Sequence, residues 1–307
     1  MNEIIIVDLP KAHGNIQGCW SQGYPIHQGE NENSLNYATV YANEHQIIPN
    51  QVELKRDFEV FKSLIQEAGF SLRVLPFPET LNQETQLNHD AVFLRDAGLM
   101  FQNFWIKANF SAKNRQIEAE VHAKTMRDTF NKDIIELPKK SQLEFGEVFL
   151  LYTEKGSYYF GGIARSNKIG HDFVRDIIKP DHYCLIQSEG YHLDTVFSPV
   201  IDRDNHLIAC LVSNNMIHQN SLAALKQLDI ELIFLDAIDS SGEGKNLGNY
   251  AVNTLIGPGV MLNGDKFLTE HVEEKLESFG IKRFVSPLTY FRYAGGSYHC
   301  LTNEVYQ

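Results

Sequence analysis

The sequence predicts an α/β fold assembled from one repeated unit, and three observations carry this prediction. From residue 90 onward, the same order of elements returns about every fifty residues: two short β-branched or aromatic runs, an amphipathic helix, and a third strand-like run. The first ninety residues follow this order but lack one convincing strand. The tail "SYHCLTNEVY" alternates like a strand and has no helix after it. We therefore expect the tail to complete the first unit and close a ring.

Four units follow one another from residue 90. Their predicted strands are, in order, "AVFLRDAGLMF", "FWIKANF" and "DIIELP"; "EVFLLYT", "SYYFGGI" and "HYCLIQS"; "DTVFSPVID", "HLIACLVS" and "IELIFLD"; and "YAVNTLIG", "GVMLNG" and "IKRFVSPL". The predicted helices cover Asn114–Phe130, residues near His171–Ile178 and Gln219–Leu228, and Leu268–Phe279 with Thr269 as its N-cap.

The first unit is predicted from "EIIIVDL", a helix near Gln51–Ala68, and "SLRVLPF". Between its first strand and its helix, the glycine-punctuated segment Pro10–Ser34 is long for a structureless connection, so it is either a lid or a plain surface loop. Because the chain contains no low-complexity linker or break in composition, we expect one domain over residues 1–307.

The charge of the chain excludes one class of partner. A formal net charge of -12 without clustered lysine and arginine disfavours nucleic acid, whose phosphates require clustered cations. Acidity mildly favours a cationic ligand, although solubility alone accounts for the same charge. The start "MNEIIIVDLP" does not resemble a signal peptide, and no apolar stretch approaches spanning length, so we expect a cytoplasmic protein with no membrane partner.

The cysteines divide into two kinds. The four are scattered without Cys-x-x-Cys spacing, so neither a disulfide framework nor a metal site is predicted. Cys184 and Cys210 lie within apolar strand-like runs, where a buried inert thiol is expected. Cys19 and Cys300 are flanked by glycines. Cys300, beside a histidine near the end of the chain, is therefore a candidate nucleophile.

A nucleophilic cysteine needs an acid or base, and "EGYHLDTVFSPV" offers one. Residues i and i+2 of a strand project from the same face, so His192 and Asp194 are expected to point together. A lone His-x-Asp is often a surface accident. The catalytic interpretation depends on whether other units also carry ionisable groups at equivalent positions.

Acidic residues do open two other units. Asp90 and Asp96 lie in "NHDAVFLRD", and Glu144 and Glu147 lie in "LEFGEVFLL". Three of the four have a structural alternative: a turn cap for Asp90, a pair with Arg95 for Asp96, and a solvated face for Glu147. If the units surround an axis, these carboxylates converge on one pocket.

A pocket that combines a thiol, an imidazole and carboxylates suits a flat, cationic, electrophilic carbon. Guanidinium stays charged at physiological pH and presents paired N–H donors that carboxylates accept. Asp96 and Asp194 would bind its nitrogens while Cys300 approaches its carbon. The carboxylates would also keep the free thiol protonated until a cation arrives.

The motifs "HDAVFLRD", "LEFGEVFLL", "GGIARSN", "HLDTVFSP" and "GGSYHCLT" resemble those of the guanidino-group-modifying enzymes, which include arginine deiminases, dimethylarginine dimethylaminohydrolases and amidinotransferases. The resemblance covers the chain from about residue 88 to its end; residues 1–87 match only in the order of elements. It implies the pentein fold, an α/β-propeller of five ββαβ units around a pseudo-fivefold axis. It also implies catalysis without a metal or an organic cofactor.

The resemblance also implies roles for individual residues. Cys300 resembles the nucleophile of the family, His192 its general acid and base, and Glu144 the acid that orients the histidine or binds a guanidinium nitrogen. Asp96 and Asp194 resemble the guanidinium-binding pair. The remaining candidate substrate-binding residues are Arg115 and Arg165, where amino-acid-specific members hold an α-carboxylate, and Asp90, which dimethylarginine hydrolases share. For Arg115, an exposed position near a helix start is the alternative.

The expected activity is hydrolysis of arginine or a close analogue to a ureido product and ammonia. Asp194 favours an unmethylated guanidinium, because methyl groups would leave a carboxylate unpaired. The alternatives are a dimethylarginine hydrolase, an arginine dihydrolase that releases ornithine, an amidinotransferase, a binding pentein without catalysis, and a papain-like hydrolase. The common "EGGD" appears here as "EFGE", which leaves the pocket size open. A homo-oligomer is possible.

Overall fold

The structure is a computed structural model that describes residues 3–23, 35–243 and 246–306. Five three-stranded sheets share one design within these residues. In each, a central strand is antiparallel to one neighbour and parallel to the other. The strands are, unit by unit, Thr302–Glu304, Glu3–Val7 and Ser71–Leu75; Gly98–Phe101, Phe104–Lys107 and Asp133–Ile135; Val148–Thr153, Gly156–Gly162 and His182–Ile186; Phe197–Ile201, Leu207–Ser213 and Glu231–Leu235; Leu255–Gly257, Val260–Asn263 and Lys282–Val285.

The tail of the chain completes the first sheet, as the sequence predicts. Thr302–Glu304 is antiparallel to Glu3–Val7, with Ile4 opposite Glu304 and Ile6 opposite Thr302. The pairing places an element next to Cys300 in the same sheet as the first strand of the chain. The end of the chain is therefore a paired part of the fold.

One helix joins the central and the parallel strand of each unit. The helices begin at polar caps where the sequence supplies them: the side chain of Asn50 accepts hydrogen bonds from Val52 and Glu53, and that of Asn167 accepts one from Gly170. The helices are Gln51–Glu67, Gln116–Phe130, Lys168–Ile178, Gln219–Lys226 and Val272–Ser278; the first unit also has Tyr37–Glu44, and Thr289–Tyr293 precedes the tail.

The predicted start of helix Val272–Ser278, at Leu268 with Thr269 as its N-cap, is wrong. The helix begins at Val272, and His271 precedes it with a left-handed φ of 66° and without a side-chain cap. Thr269 instead donates its hydroxyl to Asp239 Oδ2 over 2.6 Å. The hydroxyl of Thr269 therefore bonds the buried carboxylate of Asp239 and does not cap the helix.

Short helical turns precede the strands, and they carry the candidate site residues. His192 precedes the turn Leu193–Thr195, which contains Asp194, and Cys300 lies in the turn Tyr298–Leu301. The prediction that these residues belong to strands is wrong. Further turns are His89–Val92, Leu94–Ala97 and Phe145–Glu147.

The core consists of three clusters of buried apolar side chains. Cys184 and Cys210 lie in one of them, as predicted, and burial raises the pKa of Cys184 to about 11. Among the residues that the structure describes, no helix has both the length and the apolar character to cross a bilayer.

Candidate active site

The helical turns bring most of the predicted site residues to one small cavity. The cavity has a volume of about 10 Å³, which is room for roughly one water molecule. Its lining includes Asp90, Asp96, Arg115, His192 and Cys300. Residues that are far apart in the sequence therefore meet, and every one of these side chains is buried.

The thiol of Cys300 lies between a carboxylate and an amide. Its sulfur donates a hydrogen bond to Asp194 Oδ2 over 3.3 Å and accepts one from Asn253 Nδ2 over 3.1 Å. Burial, followed by the charges of Asp194 and Asp96, raises the pKa of the thiol well above its usual value. The unliganded site therefore holds the sulfur protonated, which agrees with the expectation from the sequence.

His192 lies between two carboxylates. Its Nε2 is 2.8 Å from Glu144 Oε2, and its Nδ1 is 3.5 Å from Asp96 Oδ1. Burial disfavours the imidazolium, yet Asp96, Glu144 and Glu147 raise its pKa to about 9. Burial likewise opposes ionisation of Glu144, but Arg165 and His192 hold the pKa of this carboxyl below its ordinary value. His192 is therefore protonated at neutral pH and can act as a proton donor.

The three residues that follow Glu144 in "EFGE" lie in different surroundings. Gly146 is required because a Cβ there would lie 2.5 Å from His192 Nδ1 and 2.7 Å from Asp96 Oδ1. Phe145 packs in an apolar cluster, so its bulk does not line the cavity. Glu147 accepts hydrogen bonds from the backbone N–H groups of Arg165 and Leu193 over 2.6 and 2.8 Å, and thereby fixes the turn that follows His192.

Arg115 is buried, so the alternative prediction, that it lies at an exposed position near a helix start, is wrong. Its Nη1 donates to Asp96 Oδ2 over 2.9 Å, and its other nitrogens donate to both oxygens of Glu118. Asp90 Oδ2 lies 3.9 Å from Arg115 Nε and accepts the N–H of Ser21 over 2.7 Å. An arginine of the protein itself therefore already pairs with one oxygen of Asp96.

Arg165 contacts the same oxygen of Glu144 as His192 does. Its Nε is 3.3 Å from Glu144 Oε2, and its guanidinium covers the ring of Tyr191 at 4.4 Å. Its Nη1 donates to the carbonyl oxygen of Gly23 over 3.2 Å. The described part of the predicted lid segment, residues 10–23, thus contacts the site through Ser21 and Gly23, while residues 24–34 lie outside the described residues.

Three carboxylate oxygens of the site are buried without a hydrogen bond among the described residues: Oδ1 of Asp90, of Asp194 and of Asp96, the last with only the 3.5 Å contact to His192 Nδ1. Burial, above the other influences, raises the pKa of Asp90 to about 8 and that of Asp194 to about 7. Bare buried acceptors are costly and rare in folded proteins. A cation that presents several N–H groups would satisfy them.

Sequence reasoning missed three residues of the site: Asn253, Glu118 and His299. His299 Nδ1 lies 2.8 Å from Asp194 Oδ2, and the imidazole stacks on Phe149 at 4.2 Å. The position of His299 next to Cys300 was the one available signal. Asn253 and Glu118 have no distinctive spacing, so only the folded chain reveals them.

A larger cavity of about 590 Å³ adjoins the small one, and Asn36 and Tyr191 line both. Helix Tyr37–Glu44 and the segment around Ser241 form other parts of its wall. It is large enough for the remainder of a small molecule whose reactive end reaches Cys300.

The chain resembles known proteins in sequence. No family model matches it. It is 26% identical over 223 residues to the bifunctional arginine dihydrolase/ornithine cyclodeaminase ArgZ of Synechocystis sp., and 26% identical over 219 residues to the corresponding protein AgrE of Nostoc sp.. Each alignment covers 70% of this chain. The chain spans only 29% of the length of each of these relatives.

The structure resembles solved enzymes over nearly its whole length. The N-terminal domain of ArgZ bound to substrate superposes with a TM-score of 0.74 at 19% identity, covering 99% of this chain and 98% of that one. The same domain with a covalently bound reaction intermediate gives 0.72 at 19% identity, covering 99% and 98%. DDAH from Pseudomonas aeruginosa in complex with citrulline gives 0.68 at 14% identity, covering 98% of both chains.

These comparisons confirm the resemblance that the motifs predict. The two sequence relatives are described as arginine dihydrolases, and the chain has the α/β fold of the N-terminal domain of ArgZ and of DDAH.

Proposed function

We propose that this chain is a cysteine-dependent hydrolase of a guanidino group, with arginine or a close analogue as its substrate. The observation that carries the proposal is the set of buried carboxylates of Asp90, Asp96 and Asp194 at the site of Cys300, each with one oxygen that makes no hydrogen bond among the described residues. A guanidinium group would supply the missing N–H donors and place its central carbon near the sulfur. The names of the relatives and neighbours, arginine dihydrolase and DDAH, support the same chemistry.

The proposed roles follow from the contacts. Cys300 is the nucleophile, His192 is the general acid and then the general base, and Glu144 orients His192 through their 2.8 Å contact. Asp96, Asp194 and Asp90 bind the guanidinium nitrogens. Each role is a proposal that the variants below test.

Arg115 and Arg165 are proposed to bind a carboxylate of the substrate. Both guanidinium groups pair with carboxylates of the protein in this structure, Arg115 with Asp96 and Glu118, and Arg165 with Glu144. Because the small cavity beside Cys300 has room for roughly one water molecule, a substrate must displace Arg115 from Asp96 or move Tyr191. We propose that Arg115 exchanges its contact with Asp96 for one with the substrate.

The proposed reaction has two steps. Substrate binding adds positive charge beside Cys300, which favours loss of the thiol proton. The thiolate sulfur adds to the guanidinium carbon, His192 protonates the departing nitrogen, and the ammonia that leaves takes up the proton released by the thiol and departs as ammonium. An S-alkylthiouronium group remains on Cys300. His192 then takes a proton from water, the water oxygen adds to the same carbon, and the C–S bond breaks to release a ureido product and the thiol. One water is consumed and one ammonia is formed.

A second candidate is an arginine dihydrolase that forms ornithine. The observation in its favour is that both sequence relatives carry this activity in their names. The other possibilities, a dimethylarginine hydrolase and a binding protein without catalysis, are outcomes of the same experiment, and an added amine acceptor tests for an amidinotransferase.

That experiment incubates the purified protein with arginine, methylated arginines, agmatine and citrulline, and measures ureido product, ammonia and ornithine separately. The proposal predicts ureido product and ammonia from arginine in equal amounts. Ornithine with excess ammonia identifies the dihydrolase, and faster turnover of dimethylarginine identifies the methylarginine hydrolase. Absence of every product contradicts the enzymatic proposal.

A matched pair of variants tests the nucleophile. Cys300→Ser should abolish turnover and still bind substrate, whereas Cys184→Ser makes the same change at another buried thiol and should leave turnover intact. Full activity in Cys300→Ser rules out the assigned nucleophile.

We further propose that residues 1–307 form one catalytic domain and that its five sheets surround a pseudo-fivefold axis as a propeller. The identical design of the sheets and the closure of the first sheet by the tail support this arrangement. Cytoplasmic location and a homo-oligomer stay predictions, which cell fractionation and sedimentation test.

A further inference from the structure

Asn253 contacts the reacting sulfur and the backbone that carries it. The residue lies just before strand Leu255–Gly257, and its side chain is fully buried. Its Nδ2 donates to Cys300 Sγ over 3.1 Å and to the carbonyl oxygen of Asp194 over 3.1 Å. Its Oδ1 accepts from the backbone N–H groups of His299 over 3.0 Å and Cys300 over 3.3 Å.

We infer that Asn253 is a further catalytic residue of this site: its amide donates a hydrogen bond to the sulfur of Cys300 and stabilises the thiolate from which the reaction begins. The inference rests on the proposed function and extends it to a residue outside the motifs that predict the site.

The surroundings of the sulfur explain why a neutral donor is required. Asp194 Oδ2 lies 3.3 Å from the sulfur, and a thiolate there would face a carboxylate in a buried site. A lysine at position 253 would stabilise the thiolate more strongly, but it would also neutralise the carboxylates and repel a cationic substrate. An amide N–H lowers the free energy of the thiolate without adding charge.

The groups around the sulfur also titrate or carry charge, so they enter any pH measurement. They are Asp194 and His192 on one turn, Asp96 and Arg95 on another, His299 next to Cys300, and Tyr250 close to Asn253 in sequence. None of them changes identity when Asn253 is replaced, so a shift in Asn253→Ala, which adds no charge, reports the lost amide.

Asn253→Asp separates the two functions of this side chain. The replacement is nearly isosteric and keeps an oxygen for the N–H groups of His299 and Cys300, but it removes the N–H donor to the sulfur. Asn253→Ala removes the donor without adding a charge, and keeps the test valid if the new carboxyl prevents folding or donates a proton of its own.

Asn263→Asp is the matched control. Asn263 is fully buried in the same unit, and its Nδ2 donates to the carbonyl oxygens of Ala251 and Asp265. The same chemical change there should lower thermal stability and leave the sulfur unaffected.

The test is a titration of the Cys300 thiolate by its ultraviolet absorbance, taken as the difference from the same protein with Cys300→Ser. It runs from about pH 7 to about pH 12, because burial and the charges of Asp194 and Asp96 raise the pKa of this thiol well above its usual value. We expect the midpoint to rise by about one pH unit or more in both Asn253 variants, which is about tenfold less thiolate at a given pH. The Asn263→Asp midpoint should equal that of the parent protein. An unchanged midpoint in folded Asn253 variants overturns the inference.

Kinetics provide a second readout if the protein turns over a guanidino compound: kcat should fall about tenfold or more in the Asn253 variants while KM stays nearly constant. The titration requires no turnover. A protein without hydrolase activity would refute the proposed function, whereas a constant midpoint would refute the role of Asn253, so the two failures are distinguishable.

Discussion

At the scale of single residues, the aspartates around Cys300 are costly for the folded protein. Each buried carboxylate oxygen without a donor costs about 1–3 kcal/mol, and Asp90 and Asp194 each have one, whereas Oδ1 of Asp96 has the 3.5 Å contact with His192. A guanidinium ligand would recover this free energy, because it supplies the missing N–H donors. Binding of such a ligand would therefore offset the free-energy cost of burying these oxygens.

Substrate affinity should rise with pH. Burial raises the pKa of Asp194 to about 7 and that of Asp90 to about 8, so below these values a carboxyl must release a proton before it can pair with a cation. In the Cys300→Ser protein, calorimetry should therefore give tighter arginine binding at pH 8 than at pH 6. The affinity should rise by up to about tenfold per pH unit for each proton that binding releases. Asp194→Asn should flatten the profile, and tighter binding at low pH would contradict the assignment.

Gly146→Ala should lower activity without unfolding the protein. The added Cβ would lie 2.5 Å from His192 Nδ1 and displace the imidazole, and a misplacement of this kind costs about 100-fold in kcat. In the control Gly257→Ala, the Cβ would lie 2.7 Å from Phe70 Cζ, outside the site. Steady-state kinetics and thermal melts distinguish the two, because the control should change only the melting temperature. Equal kcat losses in both variants would argue against a specific role of Gly146.

At the scale of elements, the repeat predicted all five three-stranded sheets, and the unmatched tail predicted the strand that completes the first one. The helical turns at the site could not be predicted. His192 and Asp194 alternate as in a strand, but the N–H of Leu193 donates to Glu147, and those of His299 and Cys300 donate to Asn253. These long-range contacts decide the local conformation, and short polar segments have too little pattern of their own to reveal it.

The turn of Cys300 and the closing strand depend on a buried ion pair. Arg95 pairs with Glu304, and its Nε also donates to the carbonyl oxygen of His299 over 3.4 Å. Glu304→Gln would leave a buried guanidinium without its charge partner, so we expect a loss of about 3 kcal/mol in the free energy of unfolding together with reduced activity.

The surface pair Arg73–Glu3 supplies the control, since it also involves the first sheet. Glu3→Gln should cost less than about 1 kcal/mol, because both side chains are partly exposed. Denaturant unfolding measures both variants. Equal losses would show that burial of the Arg95–Glu304 pair does not matter.

At the scale of the whole molecule, buried titratable groups divide into two sets that change the stability of the fold with pH in opposite directions. Site groups keep protons that the unfolded chain releases: burial raises the pKa of Asp90 to about 8 and those of Glu147 and Asp194 to about 7, and carboxylates raise that of His192 to about 9 against the effect of burial. Four buried histidines outside the site stay neutral in the fold, because burial lowers the pKa of His13 to about 3 and those of His89, His122 and His171 to about 4.

Thermal stability should therefore fall as pH rises from about 6.5 to about 9. The neutral histidines add stability only up to their unfolded pKa near 6.5, whereas the site groups lose their contribution as pH rises through their folded values. Below pH 6.5 the two sets offset each other. Calorimetric scans in the absence of substrate should show this decline, and Asp194→Asn should reduce it. A melting temperature that rises toward pH 9 would contradict the assigned directions.

The covalent step between Cys300 and the guanidinium carbon is the central claim, and mass spectrometry of the enzyme quenched with acid during turnover of arginine measures it. The account predicts an adduct on the peptide that contains Cys300, equal in mass to arginine less ammonia, which disappears when substrate is exhausted and does not form in Cys300→Ser. Product formation without any adduct on Cys300, or with an adduct on Cys19 instead, would contradict it.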